Sequence, residues 1–546
     1  MADNKNMETI ERFRSRIAES ESMYKIVDSV FVEDSQLYIE HPEKLIEVLK
    51  ECILPFRKTC KSLNSPCSGA VDGELVRLRC MIRESIGYEC FPLEELKNSK
   101  NEKCCGFLRN AFEDEIQIQP TALKFGSRFK YVVMPVPGAS KWYDETFYDI
   151  AVKEGNQSEG QVTSNGMKSS KIIAKFVDES GSDLRPNHIF DLFGIYDTTV
   201  LFDSELDDCD GNKVMYRHYN TLHVIAFEPV EDHKVLNQEF PLMSDINTGA
   251  ISLIRKSLKL LFGDDISAEY LLCHLISKTY MRWSENPVCS MPLNIVNVTD
   301  AESIVRHLRL LMPKVVLFKI TGDNLCTDNF VPKMNNALGM LEDDSVLPFS
   351  NGTVFVIDET DFTWSSILSI SDEKRAIVNK NLKAMGTLAK EQVLEYDYTV
   401  YNVTLDCDVN VLILSKELSS LKLEAPFAVA IPKQFHDGVD PASVFEEPQS
   451  IRQCRHALQV CRNSVEDVSI PDQLNKSITD SFLHSRSRGM GTGVACDRLH
   501  RLLTLTRLCA AVDSTMEANV EHWRKAEKME IKRTRGLEGF LRRWDK

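Results

Sequence analysis

No stretch of the 546-residue chain reads G-x-x-x-x-G-K-S/T, the loop whose glycines let backbone N–H groups wrap phosphates while its lysine neutralises them. GxSxG, GxGxxG and HExxH are missing as well, which removes the serine-hydrolase elbow, the dinucleotide fingerprint and the zinc-protease helix. The 16 cysteines include no C-x-x-C pair. Zinc sites need four ligands at short paired intervals, which Cys104 and Cys105 cannot supply alone, so no metal is expected and the thiols read as free and buried. No run approaches 18 apolar residues, and the opening MADNKNMETIERFRSR is polar, so neither a membrane span nor a signal core is expected. Cytoplasm or nucleus follows as the compartment. Cations do not dominate: 65 Lys and Arg face 81 Asp and Glu, a formal net charge of -16. That argues against a chain whose whole surface grips nucleic acid, while a local basic face stays open.

What is present is ordinary globular composition, 43% hydrophobic and 27% charged, in a length that suggests three or four domains. Residues 1–70 read as helical, with Ile10, Phe13, Ile17, Leu45, Ile46 and Leu49 near helical spacing and Pro55 ending the last helix. Residues 71–235 carry short runs of strand formers: Leu75–Ile82, Phe129–Met134, Lys171–Val177, Ile189–Tyr196 and Thr221–Phe227. Turn residues punctuate them, so a small β-barrel or sandwich is expected. Within it, 153–170 is polar, Gly/Ser/Asn-rich and reads as a disordered insertion. Asp203, Glu205, Asp207, Asp208 and Asp210 read as a solvated acidic loop, with a metal or basic partner as the alternative.

Residues 243–425 alternate helical stretches with short apolar runs, Leu293–Val298, Val315–Ile320, Val354–Ile357 and Val409–Leu414, the pattern of a parallel α/β sheet. Residues 426–546 open as a loop region and become helical, with Leu499, Leu502, Leu505, Leu508 and Val512 on one face. The stretch Ser477–Gly493, ending SRSRGMGTG, reads as a mobile loop.

The sharpest local signal is NGTVFVIDETDF, residues 351–362, where an apolar strand runs into Asp358 and Glu359. P-loop ATPases deliver a magnesium-binding acid at the end of such a strand. A phosphate loop would have to follow Leu293–Val298, yet that place reads NVTDAESIVRHL, with Asp300 and Glu302 where glycine and lysine are needed. Anions there repel phosphate. Asp358 and Glu359 are therefore read as vestigial, with no catalytic residue, cofactor or metal assigned. His188, His223, His274 and His307 are isolated in sequence and read as structural, and Cys407 and Cys496 have no activating partner that sequence can reveal.

These residues resemble a known family. LVRLRCMIRE (75–84), YLLCHLISKTYMRW (270–283), NLKAMGTLAKEQ (381–392), YDYTVY (396–401), DVNVLILS (408–415) and DRLHRLLTLTRLCA (497–510) together resemble the MCM-binding proteins, themselves similar to the minichromosome maintenance (MCM) helicase subunits. The resemblance implies N-terminal helices, an OB-like β-barrel, a degenerate AAA+-like α/β domain and a helical lid-like end. In working lids an arginine two residues before Leu499 reaches the phosphates; this chain has Asp497. The implied role is a non-catalytic nuclear partner of MCM subunits in DNA replication, in helicase assembly, protection or unloading, with indirect chromatin association and a part in sister-chromatid cohesion.

Two alternatives stay open. One is an active AAA+-type ATPase with a non-standard site. The other is a single-strand nucleic-acid binder using the barrel, with Arg77, Arg79, Arg83, Lys124, Arg128 and Lys130 for charge and Phe125, Phe129 and Tyr131 for stacking. Lys532–Arg535, KRTR, with Arg524 and Lys525, reads as a helix end or an import signal.

Overall fold

The computed structural model describes residues 2–544 other than 66–68, 94, 98–102, 111–124, 146–170, 178–180, 183, 200–218, 233–243, 285, 336–339, 343–344, 348, 368–369, 420–426, 433–439, 446, 488 and 490. The 153–170 insertion, the acidic run from Asp203 to Asp210, and Lys124 lie outside the described residues. The chain forms two compact units, Met1–Val136 with Asp144–Val230 and Met334–Leu341, and Pro137–Tyr143 with Glu231–Lys333 and Glu342–Lys546.

The first unit opens with helices α1 (Ala2–Ala18), α2 (Met23–Glu33), α3 (Ser35–Glu40) and α4 (Pro42–Ile53). Pro42 sits in the first turn of α4, where its missing N–H costs nothing. The strands are β1 (Lys61–Ser62), β2 (Leu75–Pro92), β3 (Phe125–Pro135), β4 (Ile172–Phe176), β5 (Ile189–Asp197) and β6 (Asn220–Pro229). Their order is β1-β2-β3-β4-β6-β5, and β5 returns to pair with β2, so five strands close into a barrel. The long β2 reaches both partners by bending, with register shifts at Ile82/Glu84 and Ser85/Tyr88. One set of side chains, Val76, Leu78, Cys80, Ile82, Val133, Leu192 and Val224, fills the interior. The opposite face of the same strands, through Leu75, Phe193, Ile195 and Ile225, shares a second core with Phe13, Ile26, Phe31, Leu45 and Leu49 of the helices. Burial on both faces keeps β5 and β6 largely apolar, whereas β2 alternates apolar residues with Arg77, Arg79 and Arg83. Gly194 lies at the bulge of β5, where an added Cβ would fall 2.0 Å from the His223 carbonyl oxygen.

The second unit is α/β. Helices α5 (Ser244–Phe262) and α6 (Asp265–Ile276) precede β7 (Leu293–Val296), α7 (Ala301–Leu311), β8 (Val315–Lys319), α8 (Gly322–Thr327), β9 (Thr353–Asp358) and α9 (Asp372–Glu391). A hairpin, β10 (Val393–Asp397) and β11 (Asn402–Asp406), leads to β12 (Val409–Ser415) and β13 (Phe427–Ala430). The sheet order is β8-β9-β12-β7-β13, and every pairing is parallel. Asp264 caps α6 by accepting from the Ser267 N–H at 2.7 Å. Helices α10 (Pro448–Ser464), α11 (Asn475–Ser487), α12 (Thr492–Val512) and α13 (Val520–Trp544) complete the unit. Leu458, Leu502, Leu505, Leu508 and Trp523 join the sheet side chains Leu293, Val354 and Leu412 in one core.

Two expectations are corrected here. Most of Ser477–Gly493 is not a loop, because α11 covers Asn475–Ser487 and turns Ser481 and Ser485 inward, with the Ser485 hydroxyl donating to the Ser481 carbonyl at 2.9 Å. Small polar side chains satisfied within their own helix pack as well as alanine would. KRTR is not a helix end, because α13 continues to Trp544. Arg533 pairs with Glu530 at 2.9 Å and Lys525 with Glu269 at 3.3 Å, so both serve packing inside the unit. No helix of the described residues is long and apolar enough to cross a membrane.

Glu84 gives the first unit a pH dependence. The carboxyl is buried, which pushes its pKa up to about 7 from 4.5, and the Leu341 N–H bonding to it only partly offsets that. A carboxyl whose folded pKa is raised contributes stability that is complete below about 4.5 and lost as pH rises through about 7. Urea melts of the wild type are expected to lose on the order of 3 kcal/mol between pH 5 and 8 from this group. Glu84→Gln, which keeps an acceptor for Leu341, should flatten that slope; parallel pH profiles would refute the assignment. Gly194→Ala is expected to destabilise the barrel by about 1–3 kcal/mol through overpacking, read as a lower melting temperature of the first unit.

Candidate functional site

Parallel sheets carry their sites at the carboxyl ends of the strands. In the second unit those ends are Val296, Lys319, Asp358, Ser415 and Ala430. The turn from β7 to α7 is where a phosphate loop would sit. Asn297 enters it at φ +70 and donates from Nδ2 to the Ile431 carbonyl at 3.0 Å. The Val298 N–H donates to the Ser415 carbonyl at 3.0 Å. Asp300 then caps the helix, its Oδ1 accepting from the Ser303 N–H at 3.0 Å. A helix N-terminus attracts anions through its unpaired N–H groups and dipole. Here a carboxylate of the chain itself takes that position, and Glu302 adds a second negative charge to the first turn. Sequence reading noticed that both residues repel phosphate but missed the cap, although an Asp three residues before Ser303 is a signature for it.

Asp358 and Glu359 stand at the end of β9, both buried. They are held by their own surroundings. Asp358 Oδ1 accepts from the Thr360 N–H at 2.9 Å and the Thr360 hydroxyl at 2.6 Å. Glu359 Oε1 accepts from the Ser419 hydroxyl at 2.6 Å. Asn294 on β7 ties the neighbouring strand in, donating to the Ser415 hydroxyl at 2.8 Å while its Oδ1 accepts from the Ser419 N–H at 3.2 Å. Just outside, Asp361 accepts from Lys319 at 2.7 Å and Lys416 at 3.3 Å. Bonding to Asp361 raises the Lys319 pKa, and the fields of Asp358 and Glu302 add to the effect. The structure thus brings Asp358, Glu359 and the β7–α7 turn to one edge of the sheet. Asp497, exposed on α12, is part of the same unit.

Among the described residues the barrel does not present the basic groove that its sequence offered. Arg77, Arg79, Arg83 and Arg128 are buried. Arg79 makes a bidentate pair with Asp191, at 2.7 and 2.8 Å. Glu89 collects Arg128, Lys175 at 2.6 Å and Lys130 at 3.8 Å. Burial, with Arg128 nearby, lowers Lys175 to about 8 despite that carboxylate. Tyr131 is buried too, its hydroxyl donating to the Gly181 carbonyl at 2.8 Å; Phe125 alone of the three rings is well exposed. Arg77 and Arg79 alternate with the interior Val76, Leu78 and Cys80 and so lie on the outer face of β2, where they are nonetheless buried; the sequence does not reveal that an outer face is covered.

Three of the four histidines singled out in sequence are buried with partners inside the fold. His223 Nε2 lies 2.9 Å from Asp197, His274 Nδ1 2.7 Å from the Met291 carbonyl, and His307 Nε2 2.7 Å from the Ser257 hydroxyl. Burial lowers each of them to about 4. Burial raises the Cys407 thiol well above its ordinary range, the opposite of an activated nucleophile. Among the described residues no three His, Cys, Asp or Glu side chains gather as a metal site.

The class defined by this geometry is a parallel α/β module whose first strand-to-helix turn is filled by its own carboxylate, carried in one chain with a closed β-barrel. A family model described as mini-chromosome maintenance replisome factor matches residues 62–183 and 168–537, and the chain belongs to that family. It is similar to the mini-chromosome maintenance complex-binding protein of Danio rerio, 21% identical over 93% of this chain and 96% of that protein. The protein of the same name from Arabidopsis thaliana is 24% identical over 68% of this chain and 64% of the relative, and that from Homo sapiens 25% over 56% and 47%. Against the human and Gallus gallus relatives the match spans about half of their length. These relatives are named as binding proteins.

Asp300→Ala is expected to cost the second unit about 1 kcal/mol through loss of the cap, measurable as a lower melting temperature of that unit. An unchanged melt would mean that the cap contributes nothing to α7.

Proposed function

We propose that this chain is a non-catalytic nuclear partner of the MCM helicase subunits in DNA replication. The observation that carries the reading is the β7–α7 turn, where Asp300 occupies the helix N-terminus in a sheet otherwise arranged like a nucleotide-binding one. Taken in chain order from the edge, the strands run second, third, fourth, first, fifth, an order that resembles AAA+ cores and supports reading 243–425 as a degenerate AAA+-like domain. In that reading Asp358 and Glu359 are remnants, α12 and its neighbours a lid-like end that has Asp497 in place of an arginine, and the five-stranded barrel OB-like. The names of the relatives support the partner.

The physical route is mimicry without turnover. A chain shaped like a helicase subunit offers a subunit-like face to its neighbours. With an anion already on the helix N-terminus, it does not complete a phosphate site at that interface. Such a chain fits a role in assembling, protecting or unloading MCM subunits, with cohesion and chromatin association following indirectly from that role. The charge pairing on the barrel, where Arg79 and Arg128 are internally matched, gives the single-strand-binding alternative no support.

Two measurements test this. Tagged full-length chain should co-purify with MCM subunits from nuclear extract, and their absence would overturn the partner. Calorimetry with ATP and magnesium is expected to give no binding tighter than millimolar; tighter binding would revive an active ATPase.

A further inference from the structure

The β10–β11 hairpin of the second unit ends in four residues, Tyr398–Tyr401, and no other described large hydrophobic side chain is as exposed as Val400, at 90%. Tyr401 beside it is 62% exposed. The tip is held by its own backbone hydrogen bonds. The Tyr398 N–H donates to the Tyr401 carbonyl at 3.0 Å, the Val400 N–H to the Tyr398 carbonyl at 2.7 Å, and the Thr399 N–H to Asp397 Oδ1 at 3.0 Å. Thr399 is held at φ +69, a conformation that β-branched residues resist. The rings of Tyr398 and Tyr401 stack at 5.4 Å and 17°.

The stem is fixed as well. Leu394 and Tyr396 are buried, opposite Leu405 and Val403 of β11. Arg282 pairs with Asp406 at 2.8 Å and Lys380 with Asp397 at 2.9 Å. A hairpin held so firmly presents its tip without an ordering cost on binding.

The charge of the hairpin selects the occupant. Residues 393–408, VLEYDYTVYNVTLDCD, hold Glu395, Asp397, Asp406 and Asp408 and no Lys or Arg. Aromatic tips that stack on single-stranded nucleic acid need cations along the phosphate backbone. None lies on these strands, and the cations beside them are already committed, Lys380 to Asp397, Arg282 to Asp406 and Arg462 to Asp408. A protein cleft with apolar walls and a neutral or basic rim suits both the side chains and the charge.

We propose that the Tyr398–Tyr401 tip is the knob by which this chain docks into an apolar cleft on an MCM subunit. The proposal rests on the partner reading above and adds the surface that carries it. In the full chain, Val400→Asp with Tyr401→Ser should weaken binding to purified MCM subunits by about 30-fold or more, as a central hot spot does. The melt should change little, because both side chains project into water and the packing lost is the ring contact of Tyr401 with Tyr398. Trp283, 73% exposed where Met281–Trp283 pairs with Asn286–Val288, is the control, and Trp283→Ser should bind like wild type. A benzophenone amino acid at position 400 should cross-link to an MCM subunit in the bound complex. Wild-type chain that binds no MCM subunit defeats the partner reading. Wild-type binding that survives the double substitution, or a position-400 cross-link that goes to another protein, to added single-stranded DNA or to nothing, overturns the knob alone.

Discussion

Every helix leaves its first N–H groups without partners, and in a parallel α/β sheet that end points at the carboxyl edge where ligands bind. Something must satisfy those groups. A protein that binds phosphate leaves them to the ligand and gives up stability when the site is empty. At the β7–α7 turn this chain satisfies them with Asp300, and it stitches the flanking backbone to neighbouring strands through Asn297 and Val298. Asp358 and Glu359 follow the same logic, Asp358 accepting from the hydroxyl of Thr360 two residues on and Glu359 from that of Ser419, 60 residues along the chain. The edge is thereby stable as it stands.

Charge in the barrel is governed by the same accounting of partners. A buried cation without a carboxylate would cost more than the fold can spare. Arg79 has Asp191, and Glu89 serves Arg128, Lys175 and Lys130 together. A single carboxylate shared among three cations leaves the cluster net positive, which is part of why Lys175 holds its proton more weakly than a surface lysine. Glu84 lacks any such cation in its main contact, a backbone N–H, so its proton is retained instead.

The elements most legible in sequence were those whose burial is one-sided or complete. TVFVID reads as an interior strand because every residue of it is buried, and α12 reads as a helix because Leu502, Leu505, Leu508 and Val512 share one stripe. The missing phosphate loop was legible because it is a backbone requirement with an obligatory sequence. What was not legible depended on contacts made at long range. Arg79 finds Asp191 from 112 residues away, and no local pattern announces that. Serine, arginine and glycine in Ser477–Gly493 suggested a loop because propensity is local, whereas α11 is held by where Ser481 and Ser485 pack. Nothing local in sequence marks Val400 and Tyr401 as exposed, since exposure is decided by the tip that the hairpin register creates.

Together these constraints divide the second unit between a closed edge and a protruding one. At the strand ends, polar groups are matched inside the chain and little remains to attract a small charged ligand. At the β10–β11 tip the reverse holds: the backbone is matched internally, but the side chains are not covered. Covering apolar surface is favourable wherever a complementary surface exists, at roughly 25 cal/mol per Å². A residue as exposed as Val400 on a rigid support therefore favours association, whereas on a mobile loop part of that gain would be spent on ordering. The division is therefore between a helix N-terminus that Asp300 already occupies, which has little left to offer an anion, and a tip whose uncovered side chains gain by contact with a complementary surface.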